Sequence, residues 1–162
     1  SDSADGAVAV THAPLWSAGA LRLCLQGDPE NRCFSHEEPM IKLMQCIRRK
    51  PQLSVAEFRH HWDRYTEAWL ELAKHSEAKR MVTSIGLDID LNATIQLARG
   101  TRGPFDGVLE VWWASGDHVD RCIQSPALKD KLASMRRLQE EFIDLASSSI
   151  FFASEDEHLG GG

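Results

Sequence analysis

The chain has 162 residues, with 43% apolar and 26% charged side chains and a net charge of -6 with His neutral. This is the balance of a soluble globular protein with one sizeable core. The acidic excess excludes nucleic acid or an anionic membrane as the main partner, and no apolar run is long enough to span a bilayer.

Residues 1–39 are rich in Gly, Pro, Ala and Ser and show no sustained period. They read as an extension, with Trp16, Leu21, Leu23 and Leu25 as possible contacts and Met40 as a plausible start of the fold. Met40 to Arg48 alternates as a strand, with Ile41, Leu43, Gln45 and Ile47 on one side and Lys42, Met44, Cys46 and Arg48 on the other. Arg48, Arg49 and Lys50 read as a solvated strand end.

Ser54 to Ser76 is the strongest helix signal. Ser54 and Glu57 form a capping box. Phe58, Trp62, Tyr65, Trp69 and Leu72 recur three or four apart on one stripe, with His61 on its shoulder and His60 turned to solvent. Core helices usually fill such a face with Leu, Ile and Val. An aromatic stripe carrying one phenol points to packing around something else. Lys79 to Leu87 reads as a strand with Gly86 as a bulge. Asp88 to Pro104 is weakly patterned, and Gly100, Gly103 and Pro104 mark it as a loop, a lid or a mobile segment.

Phe105 to Ala114 is the strongest strand. Val108, Glu110 and Trp112 share one face and Leu109, Val111 and Trp113 the other, so both faces need cover, one from helices and one from a second subunit. Ser115 caps a helix beginning near Asp117, Ser125-Pro126 interrupts it, and it resumes through Leu128, Leu132, Met135, Leu138, Phe142 and Leu145. Ser149 to Ala153 is a last strand before an acidic tail over 156–162. The β-α-β-β-α-β order predicts an α+β, ferredoxin-like split βαβ fold over 40–155, with a four-stranded antiparallel sheet, both helices on one face and a homodimer closing the other.

The stretches MIKLMQCIRRKPQLSVAEFRHHW and FDGVLEVWWAS, the latter followed by a helix containing SPAL, resemble EthD-type domains. The resemblance covers about 40–155. It implies a dimeric α/β barrel with a small-molecule pocket between sheet and helices in each subunit. Relatives of that kind include polyketide cyclases, dehydratases, lactone isomerases, cofactor-free oxygenases and proteins of catabolic pathways. One departure stands out. Four residues after the tryptophan the family commonly shows His, then a small residue and Pro, whereas this chain has Thr66, Glu67 and Ala68.

The candidate catalytic residues are therefore His61, Tyr65 and Glu110, and the candidate substrate-binding residues Phe58, Trp62, Trp69 and Trp112. Imidazole moves protons near neutral pH, a buried phenol donates to a carbonyl or enol oxygen, and a carboxyl in an apolar strand is a possible acid. Glu110 has an ion pair with Arg80 or Arg48 as its structural alternative. His75 and His118, near helix ends, read as capping or solvated. No metal-ligand spacing, phosphate loop or nucleophile elbow occurs, so no cofactor or metal is expected. Cys24, Cys33, Cys46 and Cys122 read as free thiols of a cytoplasmic protein, with a Cys24–Cys33 disulfide as the alternative. The leading expectation is a cofactor-independent enzyme acting by acid/base proton transfer on an apolar aromatic or polyketide-like molecule. The alternatives are a cofactor-free oxygenase and a non-catalytic binding or accessory protein.

Overall fold

The structure, a computed structural model, describes residues 40–155. The extension at 1–39, with Trp16, Cys24 and Cys33, and the tail at 156–162 lie outside the described residues. Four strands, β1 (Ile41–Ile47), β2 (Arg80–Ile85), β3 (Gly107–Trp113) and β4 (Ser149–Ser154), form one antiparallel sheet in the order β2-β3-β1-β4. The helices are α1 (Val55–His75), α2 (Asp90–Arg99), α3 (Gly116–Gln124) and α4 (Pro126–Phe142), followed by a 3-10 turn at Leu145–Ser147. This is the predicted ferredoxin-like α+β fold.

The capping box forms as read. Ser54 Oγ accepts from the Glu57 amide at 3.2 Å, and Glu57 Oε2 accepts from the Ser54 amide at 2.8 Å. The aromatic stripe of α1 is buried from Phe58 to Leu72. It meets Leu43 and Ile47 of β1, Leu109, Val111 and Trp113 of β3, and Val119, Leu128, Met135 and Phe142 of α3 and α4 in one core. Ser125 adopts extended dihedrals (φ -64, ψ 129), as a residue before proline does, and separates α3 from α4 with Pro126 at the first helical position.

Four expectations need correction. The segment 88–104 is not a loop throughout, since α2 occupies Asp90–Arg99. It has no side-chain N-cap and buries no residue, so no capping signal announces its start; Gly100, in the left-handed region at φ 65, ends it. Second, Gly86 is not a bulge inside β2 but follows it. A Cβ there would stand 2.3 Å from the Phe105 carbonyl oxygen, so the two backbones cross too closely for a side chain. Gly86→Ala is accordingly expected to lower stability by about 1–3 kcal/mol in chemical denaturation, because the obstacle is backbone and cannot rotate away.

Third, the second helix stops at Phe142 rather than running to Leu145. Ile143 turns extended and bridges Arg49, while the Lys50 amide donates to the Phe142 carbonyl. Fourth, Arg48, Arg49 and Lys50 are not a solvated end. The Arg48 guanidinium donates to the Gly103 and Pro104 carbonyls and lies over the Phe105 ring, Arg49 pairs with Asp106, and Lys50 Nζ donates to the Glu140 carbonyl. The run ties the segment before β3 and the end of α4 to β1. Among the described residues, no helix is long and apolar enough to cross a membrane.

Candidate functional site

The α1–α4 seam above β1 brings a polar cluster into the aromatic core. Gln45 breaks the apolar alternation of β1 on its helix-facing side and is 1% exposed. Tyr65, fully buried, points from α1 toward it. The phenol donates to Gln45 Oε1 at 2.6 Å and accepts from Gln139 Nε2 of α4 at 2.7 Å. Burial pushes the phenol up to about 12, against the smaller opposing pull of its hydrogen bonds. It is therefore a neutral donor at physiological pH. Close by, the buried Trp69 indole N–H has no hydrogen-bond partner among the described residues, and its ring meets Tyr65 edge-on at 6.5 Å.

His61 lies at the outer rim of the same seam. Its ring stacks on Phe142 at 5.5 Å, and Nδ1 is 3.6 Å from Glu141 Oε2, which Arg64 also approaches at 3.4 Å. Tyr65 meets the same Phe142 ring edge-on at 5.4 Å. Two of the candidate catalytic residues thus both pack on Phe142, with Tyr65 inside and His61 outside. The helical spacing that sets them one turn apart also leaves room for a side chain from α4. Phe58, Trp62 and Trp69 are buried along the seam, and Trp62 lies over Gly107 of β3, where an added Cβ would be 2.8 Å from its ring.

Glu110 and Trp112 are not in this constellation. Strand alternation puts both on the opposite face of the sheet, away from Tyr65. Glu110 pairs with Lys42, its diagonal neighbour on β1, at 3.1 Å, not with Arg80 or Arg48. Trp112 lies between the Arg80 guanidinium and the Lys42 ammonium, 4.6 and 5.0 Å from its ring. The face expected to be bare and apolar is therefore charged at its centre. His118 Nε2 lies 2.8 Å from the Ser76 carbonyl and His75 Nδ1 lies 2.7 Å from that of Glu71, both helix-end roles. Thr66, at the position where the resemblance implies His, donates its hydroxyl to the Asp63 carbonyl. Among the described residues, no three His, Cys, Asp or Glu side chains converge as metal ligands.

Gln139 and Glu141 were not singled out in the sequence. Gln139 follows Leu132 and Met135 at helical spacing, and a lone amide on an apolar helix face was its signal. A surface depression of about 520 Å³ flanks the end of α4, lined by Lys50, Pro51, Gln52, Glu140, Ile143, Asp144 and Leu145, and contains none of the candidate residues.

An antiparallel four-stranded sheet with helices on one face and a polar cluster beneath them defines a ferredoxin-like α+β domain. The model of the EthD domain matches residues 50–146, and the chain belongs to that family. Solved structures share the fold at low identity. Hydroxynitrile lyase from Passiflora edulis superposes with a TM-score of 0.53 at 15% identity, over 76% of this chain and 99% of that one. A dimeric protein of ferredoxin-like fold from Bacteroides fragilis has a TM-score of 0.50 at 13% identity, over 72% and 96%. A dimeric ferredoxin-like protein from Thermobifida fusca has 0.50 at 11%, over 76% and 97%. No curated protein matches the chain.

Proposed function

We propose that this chain is a cofactor-independent enzyme that transfers protons on an apolar, aromatic or polyketide-like small molecule, in the manner of a cyclase, dehydratase, decarboxylase or isomerase. The observation that carries this reading is the Tyr65 phenol, buried and held between an acceptor on the sheet and a donor on α4. Gln139 donates into the phenol oxygen and so strengthens its O–H as a donor. A substrate carbonyl that takes the place of Gln45 receives that hydrogen bond, and negative charge developing on its oxygen is stabilised there. His61, oriented by Glu141, is the proton acceptor at the rim, and a substrate reaches both groups by lying along the seam where Phe142 now packs. Phe58, Trp62 and Trp69 shape its apolar wall. Glu110 has no part in this step because the sheet separates it from Tyr65.

The reading includes a homodimer joined through the open sheet face, where Phe151 is 46% exposed. A stable monomer at micromolar concentration in sedimentation analysis would refute that part.

A second reading, a non-catalytic binding protein, is favoured by one observation, that Tyr65 is already satisfied by two glutamines, and by the Thr66 that stands where the resemblance implies a histidine. The two are separated by proton exchange. With a panel of aromatic ketones in deuterated water, the enzyme reading expects catalysed exchange at the carbon beside the carbonyl. Tyr65→Phe and His61→Ala are each expected to lower it by about 10²–10⁴-fold. Binding without exchange, unchanged in both variants, supports the second reading, and oxygen uptake with substrate identifies a cofactor-free oxygenase.

A further inference from the structure

The face of the sheet away from α1 and α4 holds a site of its own. The register sets Arg80, Trp112, Lys42 and Ala153 side by side across β2, β3, β1 and β4. Trp112 is 2% exposed, and its indole N–H points to one carboxylate oxygen, Glu155 Oε2, at 3.1 Å. Lys42 Nζ donates to the same oxygen at 3.0 Å. Two donors from paired central strands thus converge on a single oxygen, with the Arg80 guanidinium stacked on the Trp112 ring beside them.

The charges show what the site demands. Lys42 and Arg80 bring two positive charges and Glu110 one negative, so without Glu155 the cluster carries one net positive charge. Glu155 raises the Lys42 ammonium above its usual range, and Lys42 holds the Glu155 carboxyl below its own. The walls and the occupant differ in how firmly they are held. The Lys42 side chain is 13% exposed and belongs to a central strand. Glu155 is 33% exposed and stands one residue past the end of edge strand β4. Met44, Val82 and Phe151 surround the polar row on the same face.

We propose that Lys42, the Trp112 indole N–H and Arg80 form a binding site for a small molecule bearing one carboxylate on an apolar body, with Glu155 as its resident occupant. The ligand carboxylate displaces that of Glu155 between Lys42 Nζ and the Trp112 indole N–H. A second copy laid on this face would exclude water and make the missing negative charge more costly to omit, so dimerisation would sharpen the demand for an anion. The site lies across the sheet from Tyr65, and its test does not depend on proton-transfer activity.

The test follows the Trp112 indole resonance in ¹H–¹⁵N spectra of the full chain, identified by its loss in Trp112→Phe. The probes are benzoate and its neutral counterpart benzamide. In Glu155→Ala, benzoate is expected to shift the resonance saturably at about tenfold lower concentration than in the parent chain, where only the fraction of molecules with Glu155 displaced is competent. Glu155→Gln, which keeps the side chain's shape, gives the same direction of change should the alanine variant fold poorly. Benzamide is expected to leave the resonance unmoved, and adding Lys42→Met to Glu155→Ala removes the benzoate response. No saturable shift in either Glu155 variant, an equal response to benzamide, or an affinity unchanged by loss of Glu155 would overturn the site.

Discussion

Trp62→Ala is expected to destabilise the protein by about 3–5 kcal/mol, the largest effect of any single truncation in the α1 stripe. The indole is 2% exposed and among the largest fully buried side chains. It stacks on Phe58 with centroids 5.7 Å apart, lies 6.1 Å from Tyr65, and covers Gly107 of β3. Removing it leaves a void bounded by a helix on one side and a paired strand on the other, and neither can move in to fill it. Since domains of this size are stable by only about 5–15 kcal/mol, the variant loses much of its margin. Equilibrium chemical denaturation measures the loss. Trp62→Phe keeps a ring in place and is expected to lose less. Gly107→Ala attacks the same contact from the strand, and its effect is expected to shrink in the Trp62→Phe background, because the two sites share one space. A loss below about 1 kcal/mol in Trp62→Ala would show that the seam is not packed as described.

The second large effect is on alkaline pH. Tyr65 is the single tyrosine of the chain, so tyrosinate absorbance reports this phenol alone. Burial raises it from 10.0 to about 12 in the folded state. Below the unfolded value both states carry the proton, and this group gives stability no pH dependence. Between about 10 and 12 the unfolded phenol has ionised while the folded one has not. The folded state then binds more protons, and stability falls as pH rises, by up to about 3 kcal/mol by linkage. The expected observation is a phenol that titrates near 12 in the folded protein and near 10 in denaturant, with stability falling across that window. Tyr65→Phe removes this phenol's share of the alkaline pH dependence but leaves the Gln45 and Gln139 amides without their shared partner, which destabilises the protein by about 1–3 kcal/mol at neutral pH. A folded-state titration near 10 would show a hydrated phenol, and with it an open seam.

Much of the fold was readable from one residue to the next. The capping box at Ser54 and Glu57, the alternation of β1 and β3, and the Ser125-Pro126 break are local rules, and the chain obeys them. The aromatic stripe of α1 was legible for the same reason, since helical spacing alone puts Phe58, Trp62, Tyr65 and Trp69 on one side. What escaped the reading lacked a local signature. Helix α2 has no side-chain cap to announce its start, and its apolar positions, Leu91 and Ile95, stay exposed instead of joining the core. The partners of Tyr65 were hidden because Gln45 and Gln139 stand 20 residues before and 74 after it, and no spacing rule links them.

Residue spacing alone sets which side chains share a helix stripe or a strand face, because periods of 3.6 and 2 are properties of the backbone. On that basis Glu110 and Trp112 were already on one face of β3 with Val108. It also carried the family, through motifs whose order and spacing survive in the chain. Packing between distant elements chose which of those faces meet. It set Phe142 between Tyr65 and His61, put Glu110 across the sheet from both, and brought Lys42, Trp112 and Glu155 to one point. These are contacts between elements distant in the chain, and their geometry is settled by packing against shared neighbours.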